Sequence, residues 1–337
     1  MNAILKKDIE EFVLSFQLSD ELNNSSFFIT GATGLIGSTL VRCLLALDKN
    51  INITLPVRSA SKARAIFDEE IRNLTIIEGD LIDILTNMND RYDYIVHCAS
   101  PTSGKFMIEH PVETYAFTID STRALLEYSL RNPIKSMTYI SSLEYYGEML
   151  SDDLVDEEQT GYINPQSARS CYPLAKRAAE YLCVAYAREY GLPVRIARLT
   201  QTLGAGISRD DNRLFAQLAR SVINNFDIVL HSEGQSSKPY CYTTDAISAI
   251  LHILIKGNSG EAYNVANPDT YISVKDLSYF IRDNFNPNID VRVEINPDMG
   301  YAPTTKLNLS VTKLFGLNWR PKYSLFQMFD HLIMSLR

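Results

Sequence analysis

Tyr172 and Lys176 stand four residues apart at the start of a stretch, Tyr172 to Tyr190, whose pattern predicts a strong helix. At that spacing the phenol and the ammonium share one helix face. A phenol titrates near ~10 and is a poor base at neutral pH. An ammonium beside it, together with an oxidised nicotinamide, stabilises the phenolate and brings it into a working range. Ser142 ends an apolar run, Met137 to Ser142, that predicts a strand, and Glu144 adds a carboxylate two residues on. Ser142 would offer its hydroxyl to the same substrate oxygen as Tyr172. Together they suit moving a proton on or off an alcohol oxygen while its carbon is oxidised or reduced, which needs a partner to exchange hydride.

The stretch Phe27-Phe28-Ile29-Thr30-Gly31-Ala32-Thr33-Gly34-Leu35-Ile36-Gly37 provides a place for that partner. It reads as a buried strand, a tight turn at Gly31 and Gly34, and a helix entered near Gly37, with the helical pattern predicted over Ser38 to Leu47. Glycines let a pyrophosphate approach the main-chain N–H groups, and Thr33, Leu35 and Ile36 offer theirs at the helix end. A second strand, Ile51 to Val57, ends at Arg58 with no acid nearby. An Arg there pairs with a ribose 2′-phosphate, which favours NADP(H) over NAD(H); stacking on adenine or lying in solvent are its other uses. A third strand, Leu74 to Leu81, ends in Asp80-Leu81, suited to an adenine edge. A fourth, Tyr94 to Ser100, ends in Cys98, Ala99 and Ser100, small enough to leave room for a dinucleotide.

A helix over Thr114 to Arg131 and a sixth strand over Val194 to Arg198 complete the alternation. Strands alternating with helices predict an α/β fold: a Rossmann-type, doubly wound parallel sheet with ligands outside its C-terminal edge. From Leu203 onward the alternation loosens, which predicts a smaller, discontinuous C-terminal α/β substrate lobe. The expected division is an N-terminal helical extension over 1–25, a dinucleotide domain over 26–202, and a lobe over 203–337 with segments returning to the first domain. The extension carries Ile4, Leu5, Ile9, Phe12, Val13 and Phe16 at helical spacing over Met1 to Leu22, which suits a helix packed on the domain or in a subunit contact.

The 337 residues carry a formal charge of −8 with no basic stripe, which argues against nucleic acid. No run of apolar residues reaches the ~18 needed to span a membrane. The five cysteines, Cys43, Cys98, Cys171, Cys183 and Cys241, are scattered without metal-ligand spacing, so no metal is expected and the thiols read as reduced, in a cytoplasm.

Taken together, Thr30 to Gly37, His97 to Ser100, the Ser142 segment and Tyr172-x-x-x-Lys176 resemble the extended short-chain dehydrogenase/reductases, and within them the NAD-dependent epimerase/dehydratase group acting on nucleotide sugars. Ser141-Ser142-Leu143-Glu144-Tyr145-Tyr146-Gly147, Asn164-Pro165, and Ser170 to Arg177 are similar to segments of UDP-glucuronate decarboxylases. Lys238 then takes the place of a diphosphate-binding Arg, and Gln201 that of a substrate-binding Asn. The chain departs from the group at Leu143, where dehydratases often carry an acidic Asp, at Gln201, and at Arg58.

The resemblance implies an enzyme with Tyr172, Lys176, Ser142 and Glu144 as its catalytic residues, and Ser142, Gln201 and Lys238 on a nucleotide-linked sugar. It also implies a homodimer formed by two helices of each subunit, one of them carrying Tyr172 and Lys176. Three readings stay open. One is a redox-neutral conversion through a transient 4-keto sugar, as in epimerases, dehydratases and decarboxylases. The second is an NADPH-dependent reduction of a keto sugar or ketose, favoured by Arg58 and Leu143. The third is a non-catalytic NADP-binding sensor, which the intact Tyr172, Lys176 and Ser142 argue against.

Overall fold

A computed structural model describes residues 1–296 and 304–337. In chain order it places α1 (Ala3–Ser15), β1 (Ser26–Thr30), α2 (Leu35–Ala46), β2 (Asn52–Val57), α3 (Ala60–Phe67), β3 (Leu74–Glu78) and α4 (Leu81–Asn87). There follow β4 (Tyr94–His97), α5 (Gly104–Glu109), α6 (Pro111–Arg131), β5 (Ser136–Ser142), β6 (Leu154–Val155), α7 (Cys171–Tyr190), β7 (Val194–Leu199) and β8 (Gln201–Leu203). The remainder is α8 (Leu214–Asn224), β9 (Ile228–Leu230), β10 (Ser237–Tyr242), α9 (Thr243–Lys256), β11 (Ala262–Val265), β12 (Asn267–Ser273), α10 (Val274–Phe285), β13 (Val291–Val293), β14 (Asn308–Leu309), α11 (Thr312–Phe315) and α12 (Leu325–Leu336).

The main sheet runs β11-β7-β5-β4-β1-β2-β3, and every pairing in it is parallel. Strands covered on both faces need near-continuous apolar sequence, and Phe27, Phe28 and Ile29 in β1 and Ile95 and Val96 in β4 are fully buried. The strand order reverses between β1 and β4, so their C-terminal ends flank the crevice where such sheets take ligands. This is the Rossmann-type architecture the alternation predicts.

Several boundaries differ from the sequence expectation, each for a local reason. The helix after the glycine turn starts at Leu35, not Ser38, because Gly34 caps it and Gly37 sits inside its first turn. β3 stops at Glu78: Asp80 leaves the strand to cap α4, its Oδ1 accepting from Ile82 N at 2.9 Å. β4 stops at His97, leaving Cys98 to Ser100 in the loop beyond it. The expected helix over 1–22 ends at Ser15, and a separate 3-10 turn covers Ser19–Leu22.

Beyond β7 a second layer forms around its own core, including Phe215, Leu218, Tyr240, Leu277 and Phe329. Its three-stranded sheet runs β12-β10-β8, beside the pair β13-β9. β11 returns to the main sheet beside β7, and α9 buries Ala246, Ile250 and Ile253 in the main core.

α1 joins the two layers. Leu5, Ile9 and Phe12 belong to the main core. Its polar side reaches the second layer: Asp8 accepts from Tyr242 Oη at 2.5 Å and pairs with His331 Nδ1 at 2.8 Å, and Glu11 accepts from Tyr323 Oη at 2.8 Å. Asn2 Nδ2 donates to Ala205 O at 2.6 Å.

Candidate active site

Gly31 turns the chain at φ +67°, and a side chain there would meet Ala99 N at 2.6 Å. The position therefore needs glycine twice over, for its left-handed backbone and for the close approach of the loop after β4. Gly37 is excluded from bearing a side chain by Gly31 O and Ala32 Cα. Gly34 differs: its missing side chain faces open space apart from Gly31 O at 3.4 Å. It borders a cavity of about 400 Å³ lined by Thr33, Leu35 and Ser38 on one side and Gly206, Ile207 and Ser208 on the other. Ile36 follows in the first turn of α2. A bare backbone turn, a helix N-terminus and a cavity of this size fit a dinucleotide pyrophosphate.

Thr30 ties the turn to β4. Its Oγ1 accepts from Ala99 N at 3.2 Å and lies 2.7 Å from His97 Nδ1. Burial, helped by the nearby Lys176 charge, pushes His97 down to about 3, so its imidazole is neutral. Burial pushes the Cys98 thiol up to about 12, and Ser100 Oγ lies 3.5 Å from Thr118 Oγ1. Arg58 is exposed at the end of β2, next to Ser59, which caps α3 by accepting from Lys62 N at 3.2 Å. Asp80 caps α4, and Leu81 is buried in a core cluster with Phe28 and Ile95.

At the other end of the crevice, Tyr172 and Lys176 are both buried in the first turns of α7. Lys176 Nζ donates to Ile140 O at 2.8 Å and stands 5.5 Å from the centre of the Tyr172 ring. Burial brings the ammonium down to about 8. Burial pushes the Tyr172 phenol well up, and the Glu144 charge adds to this; the Ser142 hydroxyl and Arg169 pull the other way. Burial and the Glu144 carboxylate outweigh the Arg169 charge and the Ser142 hydroxyl, so the phenol holds its proton more tightly than a free tyrosine does.

Ser142 ends β5 and accepts from Glu144 N at 3.2 Å, which fixes the 3-10 turn Leu143–Tyr146. That turn separates Leu143 from Glu144. Leu143 goes into a core cluster with Tyr146 and Val155. Glu144 stays at the site, where its Oε1 accepts from Arg169 Nη2 at 2.7 Å. Lys238 on β10 feels the same carboxylate, which raises its proton affinity while burial lowers it more. Gln201 opens β8 and pairs in register with Tyr240, two residues from Lys238. Ser142, Glu144, Tyr172 and Lys176 thus converge, with Lys238 beside Glu144.

Sequence reasoning missed Arg169. It lies just ahead of α7, in the 3-10 turn Ala168–Ser170, with no spacing signal to single it out. It also missed the frame beneath the site. Arg198 on β7 pairs with Glu180 on α7 at 2.8 Å, both almost fully buried, and donates to Tyr146 Oη at 2.9 Å. Arg177 donates to the carbonyls of Tyr145, Tyr146 and Gly161. These bonds lock the Glu144 turn to the helix bearing Tyr172.

The model of the NAD-dependent epimerase/dehydratase family matches residues 27–266. UDP-glucuronic acid decarboxylase 3 of Arabidopsis thaliana is 28% identical over 305 residues, covering 90% of this chain and 86% of that one. UDP-glucuronic acid decarboxylase 6 of the same plant is 29% identical over 318 residues, covering 90% and 88%. Among solved structures, UDP-glucose 4-epimerase of Thermotoga maritima superposes with a TM-score of 0.80 at 21% identity, over 93% of this chain and 98% of that one. The dTDP-glucose 4,6-dehydratase DesIV of Streptomyces venezuelae, solved with NAD bound, gives 0.78 at 21% identity, over 92% and 96%. At these identities the solved structures establish the fold.

Proposed function

The chain belongs to the NAD-dependent epimerase/dehydratase family, and we propose that it converts a nucleotide-diphosphate sugar through a transient 4-keto intermediate. When bound, the nicotinamide dinucleotide supplies a hydride acceptor that serves as donor on the return. Ser142 and Tyr172 hold the sugar 4-hydroxyl, and Tyr172 as phenolate takes its proton while hydride leaves C4. Lys176 would hold the nicotinamide ribose, and it keeps positive charge near the phenol. The ketone acidifies the neighbouring C5–H, and Glu144 is the base or orienting group there. Gln201 and Lys238 bind the substrate from the second layer.

The observation that carries this reading is the Glu144 carboxylate held beside Ser142 and Tyr172. A simple ketone reduction needs only the phenol and the hydroxyl; the carboxylate adds chemistry at the next carbon. Incubation with UDP-glucuronate, UDP-glucose, dTDP-glucose and a nucleotide-linked 4-keto sugar, with and without added NAD(P)H, followed by mass spectrometry, tests it. The expected result is turnover without added reduced cofactor, at unchanged mass or with loss of water or carbon dioxide. Stoichiometric NADPH consumption with a two-hydrogen gain would refute it and favour the reductase reading, to which exposed Arg58 lends support.

For the cofactor, Arg58 beside the serine-capped start of α3 supports NADP(H) through a 2′-phosphate contact. For assembly, Tyr181 and Tyr190 on α7 are 71% and 55% exposed and Leu130 on α6 is 39% exposed. An outward apolar surface on these two packed helices supports a homodimer through them. No helix among the described residues is long and apolar enough to cross a membrane.

A further inference from the structure

Among the described residues Arg169 makes a single ion pair, Nη2 to Glu144 Oε1 at 2.7 Å, and its guanidinium carbon lies 5.8 Å from the centre of the Tyr172 ring. Its Nη1 is buried and, among the described residues, has no hydrogen-bond partner. A buried donor left unpaired costs about 1–3 kcal/mol, so this arrangement is poor value as a structural cross-link. Beside it, Glu144 is bonded through its backbone N–H to Ser142, the hydroxyl that meets the Tyr172 phenol. One contiguous chain thus links Arg169, Glu144, Ser142 and Tyr172.

We infer that Arg169 is a positioning residue: it holds the Glu144 carboxylate beside Ser142 and offsets that carboxylate's charge at the Tyr172 phenol. The inference rests on Tyr172 being the proton acceptor of the proposed function. A carboxylate close to the phenol is needed for chemistry at the neighbouring carbon, yet its negative charge opposes formation of the phenolate. Arg169 resolves that conflict by pairing with the carboxylate within reach of the ring. The other groups around the phenol do not replace it. Lys176, on the same helix, directs its proton to Ile140 O. Lys238, from β10, faces Glu144. Cys171 and Tyr139 are kept neutral by burial, which raises both.

The test is an ultraviolet difference titration of the Tyr172 phenol, with Tyr172→Phe as the blank, on protein loaded with oxidised NADP and in parallel with oxidised NAD. Arg169→Gln should move the midpoint up by about one to two pH units, the usual effect of losing a nearby opposite charge. Glu144→Gln should move it down, and the double variant should return towards the parent. Arg169→Lys, which keeps the charge, should restore the midpoint, and with Glu144→Gln it carries the test if Arg169→Gln fails to fold. Unchanged midpoints in Arg169→Gln and Glu144→Gln would overturn the inference, as would an Arg169→Gln shift that persists in full in the double variant. Failure of the underlying reading shows separately, as full nucleotide-sugar turnover by Tyr172→Phe.

Discussion

The two ends of the crevice are built on different physical principles. At the dinucleotide end, backbone sterics decide: Gly31 has a positive φ and no room for a side chain, and Gly37 has no room either. At the sugar end, charge decides: half-buried Glu144 with Arg169, buried Glu180 with Arg198, and buried Lys176 at the Ile140 carbonyl. A glycine turn is local, so neighbouring residues announce it. A buried pair joins distant residues, and each half looks ordinary alone. The contrast predicts that the first end fails through its backbone and the second through unbalanced charge.

The largest effect is expected at the point where both ends meet the reaction. Tyr172→Phe should lower turnover by roughly 10²–10⁴-fold, the span of a general acid–base contribution, while NADP(H) binding measured by fluorescence stays close to the parent. Next comes the buried frame. Glu180→Ala leaves Arg198 charged and unpaired, and should cost about 3–5 kcal/mol in urea denaturation. A loss below 1 kcal/mol would mean that the frame is not governed by charge. Gly31→Ala should cost about 1–3 kcal/mol for the strained backbone alone, more with the contact at Ala99, and should weaken cofactor binding. Equal cofactor affinity in a folded Gly31→Ala chain would break the steric account.

Smaller again is Arg58→Ala, expected to weaken NADP(H) about tenfold, as for one charge-assisted hydrogen bond, with NAD(H) unchanged. Equal losses for both would refute the 2′-phosphate contact. The smallest is a pH effect. Lys176 titrates at about 8 in the folded chain against ~10.4 unfolded. Between those values the unfolded chain holds the extra proton, so stability rises with pH there. Relative to Lys176→Met, the parent chain should therefore gain stability from about pH 7 to about pH 10 in thermal melts. A flat difference would mean that Lys176 is not strained by burial.

The same contrast explains what could be read from the residues. The alternation of strands and helices, the glycine turn and the Tyr172–Lys176 pair are periodic or local, and the fold follows from them. Leu143 could be identified as a residue without acid chemistry, but its turn into the Tyr146 cluster depends on a 3-10 turn that no spacing announces. Asp80 was legible as the residue that follows a strand, but its second use was not: an Asp followed by a helix is also a cap, and its Oδ1 accepts from Ile82 N. Arg169 was invisible because its partner is 25 residues away on a different element.

The helix α1 lies outside the family-matched span of 27–266, yet it is bonded to both layers. Leu5, Ile9 and Phe12 anchor it in one core, while Asp8 and Glu11 grip Tyr242, His331 and Tyr323 of the other. Melting either layer therefore exposes one side of α1 and strips partners from the other. The consequence is thermodynamic cooperativity across the joint: the two layers should lose structure in one calorimetric transition, and separate into two when α1 is uncoupled by Asp8→Ala with Glu11→Ala.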